Sequence, residues 1–359
     1  MVFTSTRLRN LIGGHMQRFC LIIPLLMICL ASNAHARAVT DMTGRRVVIP
    51  DKIERVVGLS PPATYLIYAI DPNLLAGLSS PLRGDERFYT VERFKKLPVV
   101  GGIAGESRNI NVETLLKVKP DIVVLWQLKR RDMNAINRKY EQVLKPLGIP
   151  ILYLSMGSVN DYPAAFRFLG DVLNRKERAA ALERYAVNVL RKTSRAMAGM
   201  PAAKRVSVYY AEGVDGLATE GEDSMHTQLI PLSGGRNVSR MKETSYMGLE
   251  RITMEQLLIY DPDVILVKEK ASFDRIAKDA RWKNLRAIRG KRVYLIPYEP
   301  FNWFDRPPSH MHLLGIQWLS NLLHPDRYPL DIVKETRAFY RLFFNRELSD
   351  RKAREILHR

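Results

Sequence analysis

The chain has 359 residues, 46% hydrophobic and 26% charged, enough to bury large cores and to favour a division into two domains. Its two cysteines, Cys20 and Cys29, lie near the N-terminus, which excludes disulfides, thiolate metal sites, iron–sulfur ligation and a cysteine nucleophile from the rest of the chain. A net charge of +19 attracts anions, but the basic residues are scattered, and no arginine-rich tract or RNA-binding signature points to nucleic acid.

Arg7, Arg9 and Arg18 precede an apolar run from Phe19 to Leu30, and Ala34-His35-Ala36 follows. A basic start, a short apolar stretch and a small-x-small site describe a cleavable signal peptide, because the run is too short for a spanning helix of about 20 residues. Leu26 stands three residues before Cys29, yet Met27 and Ile28 are bulky where a lipoprotein site needs small residues, so export without a lipid anchor is expected. The signal carries three arginines and no acid, leaving +16 on the remainder.

Beyond Ala36 the pattern predicts a first α/β lobe over residues 37–160. Arg55 to Leu59 reads as a buried strand, and Ser60-Pro61-Pro62 opens a helix through Tyr65, Leu66 and Ile70. Leu75 to Leu78, Val123 to Leu125 and Pro150 to Leu154 read as further strands, with helices between them. Short apolar runs alternating with helices indicate parallel βαβ construction. Residues 161–200 carry no strand signal and predict one long connecting helix, with a break point near Asn174. Alternation resumes over 201–330 with strands at Arg205 to Tyr210 and Val293 to Pro297 and a helix from Ser309 to Leu323. A charged helical tail, 331–359, is expected to pack on its own lobe through Phe339, Tyr340, Phe343 and Phe344.

One unit occurs twice. Ile110 to Leu125 (INVETLLKVKPDIVVL) and Ile252 to Val267 (ITMEQLLIYDPDVILV) match at an offset of 142 residues. Each predicts an N-cap (Asn111, Thr253), a first-turn glutamate (Glu113, Glu255), a helix ending before Pro120 or Pro262, then aspartate and a buried strand. A glutamate in a first turn needs no partner. Its repetition, once per lobe, is what composition leaves unexplained.

The order of these features resembles the periplasmic substrate-binding proteins of ABC importers for iron–siderophore complexes, haem and cobalamin. The resemblance rests on Arg55 to Ala63, on Asn111 to Asp121, on Gly234-Gly235-Arg236-Asn237 and on the second unit at Glu255. It implies two Rossmann-like lobes with parallel sheets joined by a long rigid helix. It also implies a periplasmic monomer and one exposed glutamate per lobe, Glu113 and Glu255, for docking on an inner-membrane permease dimer.

Ligands of open α/β sheets sit beyond the carboxyl ends of strands. The candidate ligand-binding residues are therefore Arg83, Trp126 and Arg130 (beside Lys129) in the first lobe. In the second lobe they are Tyr210, His226, and Trp303 and Arg306 within FNWFDRPPSH, whose Pro307 and Pro308 are expected to open a helix. Aromatic walls with guanidinium groups suit a planar or chelated anionic ligand. The histidines after residue 36 are His226, His310, His312, His324 and His358, with none in the first lobe, which argues against a bare-ion site across the cleft. No protein-bound metal, cofactor or catalytic residue is expected. The cargo expected first is a ferric siderophore or similar iron chelate, with cobalamin, haem, a nickel chelate or molybdate as alternatives. A chelatase-like enzyme is the alternative of another class, opposed by the absence of any nucleophile elbow, His-Glu-x-x-His motif or phosphate loop.

Overall fold

The computed structural model describes residues 35–102, 109–128, 131–242 and 248–358. The expected signal segment, with Cys20 and Cys29, and the pair Lys129 and Arg130 lie outside them. A hairpin of β1 (Ala36–Thr40) and β2 (Arg46–Pro50), which the sequence reading did not anticipate, precedes the first lobe.

The first sheet contains β3 (Val56–Gly58), β4 (Leu75–Gly77), β5 (Ile122–Gln127) and β6 (Ile151–Ser155), all parallel, in the order β4-β3-β5-β6. Its helices are α1 (Pro61–Ile70), α2 (Gly84–Tyr89), α3 (Val112–Val118) and α4 (Arg131–Leu144). Ser60 caps α1 by accepting a hydrogen bond from the Ala63 amide, and the two prolines occupy the first turn, where a missing N–H costs nothing. The connector is two helices, α5 (Tyr162–Val172) and α6 (Lys176–Met197), parted where Asn174 takes a left-handed backbone (φ 54°).

The second lobe repeats the first. Its sheet has β7 (Val206–Ala211), β9 (Gly235–Asn237), β11 (Val264–Val267) and β12 (Val293–Leu295) in the order β9-β7-β11-β12, all parallel. Numbered within each lobe, both sheets run 2-1-3-4. A small antiparallel pair, β8 (Ala218–Thr219) with β10 (Glu250–Arg251), is inserted beside it. The helices are α7 (Leu229–Leu232), α8 (Met254–Tyr260), α9 (Lys270–Ile276) and α10 (His312–Leu323). Pro307 and Pro308 do not open α10, which begins only at His312, so residues 296–311 form a long loop.

The duplicated units share their local geometry. Asn111 accepts from the Thr114 amide, and Thr253 accepts from the Gln256 amide. Both helices end on a left-handed residue, Lys119 (φ 46°) and Asp261 (φ 33°), immediately before the proline. This is how the chain meets the restriction that proline places on its predecessor. The shared aspartate has a structural task. Asp121 accepts from the amides of Glu54 and Arg55 (2.7 and 2.8 Å) at the entry to β3, and Asp263 accepts from the Ser207 amide and hydroxyl (3.0 and 2.6 Å) at the start of β7.

The tail, α11 (Ile332–Phe344) and α12 (Asp350–Ile356), does not confine itself to the second lobe. Phe344 meets Tyr68 of α1, Tyr340 meets Tyr89 of α2, and Arg346 donates to Thr90 O at 3.2 Å. One hydrophobic cluster therefore joins Val56 and Leu66 of the first lobe, Phe166 of α5, Leu266 and Trp303 of the second lobe, and Phe343 of the tail. Among the described residues no helix is long and apolar enough to cross a membrane.

Candidate ligand-binding cleft

A cleft of about 420 Å3 lies between the lobes, lined by residues that follow the carboxyl ends of β4, β11 and β12. The first lobe contributes Arg83, Asp85 and Glu86, from the N-terminus of α2. The second contributes Lys268 and Glu269, just past β11, and Asn302 and Arg306 from the long loop. Tyr65 of α1 stacks on Phe301 with ring centroids 3.7 Å apart, so an aromatic pair joins the lobes beside the cleft.

Arg306 is the most elaborately held of these groups. Its Nη1 contacts Glu212 Oε1 at 2.8 Å and also Asp305, and its Nη2 contacts Glu220 Oε1 at 2.6 Å. Lys268 Nζ reaches the same Glu212 oxygen at 2.9 Å. Asp305 is bound in turn by the His226 imidazole and by the Tyr210 hydroxyl (3.1 Å), and His312 Nε2 lies 3.1 Å from the Asp305 carbonyl. Glu220 accepts from Ser224 Oγ and the Leu249 amide, each at 2.9 Å. That approach needs Gly248, where a Cβ would fall 2.0 Å from the Glu220 carboxylate. The Arg306 loop is seated on α10 through Gly315, where a Cβ would fall 1.9 Å from Trp303 O.

The electrostatics follow from this geometry. Burial is the largest influence on Glu212, and together with the Asp305 charge it pushes the carboxyl up to about 7 against the pull of Lys268 and Arg306. Burial also works to raise Asp305, but His226 and Arg306 outweigh it and hold the group below the usual carboxylate range. Arg306, despite burial, is pushed further towards its charged form by Asp305 and Glu212.

The sequence-predicted site residues that the structure describes divide into three groups. Arg83 and Arg306 line the cleft together. Tyr210 and His226 are not among the lining residues and both bind Asp305. Trp126 and Trp303 are corrections to the expected aromatic walls. Trp126 lies within β5 rather than after it, is buried, and donates its indole N–H to Met156 O at 2.8 Å. Trp303 is wholly buried and donates to Glu299 O at 2.9 Å. Arg130 is outside the described residues. Lys268, Glu212, Glu220, Asp305 and Asn302 were missed. The rule that selects residues just past a strand, applied to Val264–Val267 and to Val206–Ala211, would have found Lys268 and Glu212.

The predicted docking acids sit on equivalent helices. Glu113 is exposed and pairs with Lys117 at 2.7 Å. Glu255 is also exposed, and its own amide and the Thr253 hydroxyl lower its pKa. Among the described residues no group of three or more metal-ligating side chains is assembled.

The sequence profile described as periplasmic binding protein matches residues 63–300. The chain belongs to that family. It is a substrate-binding protein of an ABC importer, with a permease as partner, and not an enzyme, so the chelatase-like alternative falls. It is 25% identical over 352 residues to the molybdate-binding protein MolA of Haemophilus influenzae, covering 90% of this chain and 95% of that one. It is 31% identical over 277 residues to the vitamin B12-binding protein of Pectobacterium carotovorum, covering 75% and 88%. Among solved structures, an ABC transporter solute binding protein from Sulfurospirillum deleyianum aligns at a TM-score of 0.84 and 35% identity, covering 90% of this chain and 99% of that one. The α/β class with two parallel sheets and a long helical connector stands as expected. For the cargo, these relatives favour the molybdate and cobalamin alternatives over the iron chelate expected first.

Proposed function

We propose that the cargo is a small, compact oxyanion of the molybdate class, captured between Arg83 of one lobe and Lys268 and Arg306 of the other. The observation that carries this reading is the convergence of cations from both lobes on one cleft, while both candidate tryptophans are buried in lobe cores. A haem or corrin needs broad aromatic faces, and the lining offers Tyr298 and Phe301, of which Phe301 is stacked on Tyr65. Guanidinium and ammonium groups suit anionic oxygens through charge-assisted hydrogen bonds. The 25% identity to a molybdate-binding protein across nearly its whole length supports the same class.

Isothermal titration with molybdate, and separately with cyanocobalamin, tests the cargo. A saturable one-to-one heat with molybdate is expected. Arg83→Gln, an exposed position, should weaken it by about 10- to 100-fold, the loss of one charge-assisted hydrogen bond of about 1.5–3 kcal/mol. Binding of cyanocobalamin without molybdate would sink this reading.

Delivery uses Glu113 and Glu255 as one contact per lobe with cationic groups of the permease. The Lys117 pair does not oppose this, because an exposed ion pair contributes only about 0–1 kcal/mol and can exchange partners. Charge reversal at both glutamates should abolish uptake and leave ligand affinity intact, and uptake that survives the double reversal refutes the docking role.

A further inference from the structure

Two of the cleft cations, Lys268 and Arg306, share one carboxylate behind them, that of Glu212. Glu212 follows β7 directly and Lys268 follows β11 directly, and Ala211 and Val267 are register partners. The two residues thus stand side by side at the point where strand order reverses. Glu212 Oε1 receives both Lys268 Nζ (2.9 Å) and Arg306 Nη1 (2.8 Å). Its side chain is fully buried, and its second oxygen, Oε2, has no hydrogen-bond partner. A buried carboxylate with one oxygen unmatched is stable as an anion only while its neighbouring cations face it.

The charges around Glu212 come from every element that packs there. Lys268 and Glu269 belong to the segment after β11, and Asp305 and Arg306 to the long loop. Glu220 follows β8, Tyr210 lies on β7, and His226 acts through Asp305. Glu212, Glu220, Asp305 and Glu269 present four carboxylates to two cations, Arg306 and Lys268. An anion entering the cleft draws on those same two cations and adds negative charge beside Glu212.

We propose that Glu212 is the positioning carboxylate of the cleft and that capture of an anion is coupled to uptake of one proton by its carboxylate. In the empty protein the ionised group holds Arg306 and Lys268 at the cleft wall. With cargo bound, the cations turn their N–H donors to the anion, and Glu212 takes a proton from solvent to become a neutral acid with an O–H to donate. This rests on the anionic-cargo reading and adds its pH dependence. Burial and the Asp305 charge push the carboxyl up to about 7, so a modest further push from a bound anion completes the protonation. By linkage, affinity rises as pH falls from the midpoint of the anion-bound state towards the lower midpoint of the empty state, and is flat outside that window.

The test is 13C-carboxyl NMR of protein labelled at glutamate side chains, with and without molybdate, alongside calorimetric affinities across pH. One glutamate should titrate at about pH 7 in the ligand-free protein, and its signal should be missing from Glu212→Gln. Saturating molybdate should move the midpoint upward. Wild-type affinity should weaken by up to about tenfold per pH unit above the ligand-free midpoint, and Glu212→Gln should lose this dependence. Lys268→Met, which removes one of the two cations, should raise the ligand-free midpoint and gives a readout that does not depend on the Gln variant folding. Absence of any glutamate titrating above about pH 6 overturns the inference whatever the cargo. A midpoint that neither molybdate nor ferric citrate moves overturns it as well. A midpoint moved by ferric citrate alone keeps the proton coupling and refutes the oxyanion reading.

Discussion

His310 illustrates how a single side chain can tie stability to pH. It is wholly buried, stacks on Phe343 at 4.9 Å and also contacts Phe339 and Phe344, and neither ring nitrogen has a hydrogen-bond partner. Burial, reinforced by His312 and Arg178, pushes it down to about 3. A depressed histidine is neutral in the folded state where the unfolded chain is already protonated. Above about pH 6.5 neither state binds the proton and the group contributes nothing. On acidification between about 6.5 and about 3 the unfolded state gains protons, so stability falls by up to about 1.4 kcal/mol per pH unit. His310→Phe should remove that share of the acid sensitivity. Urea midpoints at pH 7 and pH 5 should lie closer together in the variant than in the wild type. The comparison is made within each protein, so any repacking cost common to both pH values cancels.

At the scale of elements, the duplicated helix–corner–strand unit gives the clearest relation between sequence and structure. Its N-caps, its left-handed ends and its strand-entry aspartates recur position by position, because each solves a local problem within a few residues of chain. Asp121 and Asp263 close the entry to the sheet by accepting from backbone donors at the start of the neighbouring strand. Asp121→Ala and Asp263→Ala should each cost about 1–3 kcal/mol, the range for leaving such a donor unmatched. Urea unfolding should show losses of similar size in the two lobes. A loss in one variant and none in the other would mean that the two corners are not equivalent. The connector is less legible, since its composition is helical throughout and only Asn174 marks the break. The start of α10 was misplaced by the Pro307-Pro308 pair. Prolines suit a first helical turn, but here they lie in a loop whose path is set by Trp303 packing against Gly315.

The whole molecule is governed by the tail. Its aromatic face was readable from Phe339, Tyr340, Phe343 and Phe344, but its destination was not, since an apolar stripe does not specify which surface will cover it. The structure places it against both lobes at once, with Tyr340 on Tyr89 of the first lobe, Phe344 on Phe301 of the second and Phe343 on Phe166 of the connector. The lobes consequently share one hydrophobic cluster, with a second cluster on the opposite face of the second-lobe sheet, and should unfold as a single unit. Calorimetry should give one transition whose calorimetric and van't Hoff enthalpies agree. Phe343→Ala should lower the stability of the whole transition by about 3–5 kcal/mol and should not split off a lobe. Two resolved transitions would contradict the shared core.

The sequence by itself determined the two-lobed parallel α/β architecture, the duplicated unit and the two exposed glutamates. Periodicity, capping and proline restriction are short-range and leave their marks in consecutive residues. It also placed Arg83 and Arg306 in the cleft, because the ends of parallel strands are where such folds bind. Only the tertiary structure decided that Trp126 and Trp303 are core residues and that Tyr210 and His226 serve Asp305. It alone brought Glu212, Glu220 and Lys268 into contact with, or close to, the guanidinium of Arg306. Within this site, burial and charge pairing relate groups up to 95 residues apart, and they acquire a sign and a strength only when the fold sets their distances.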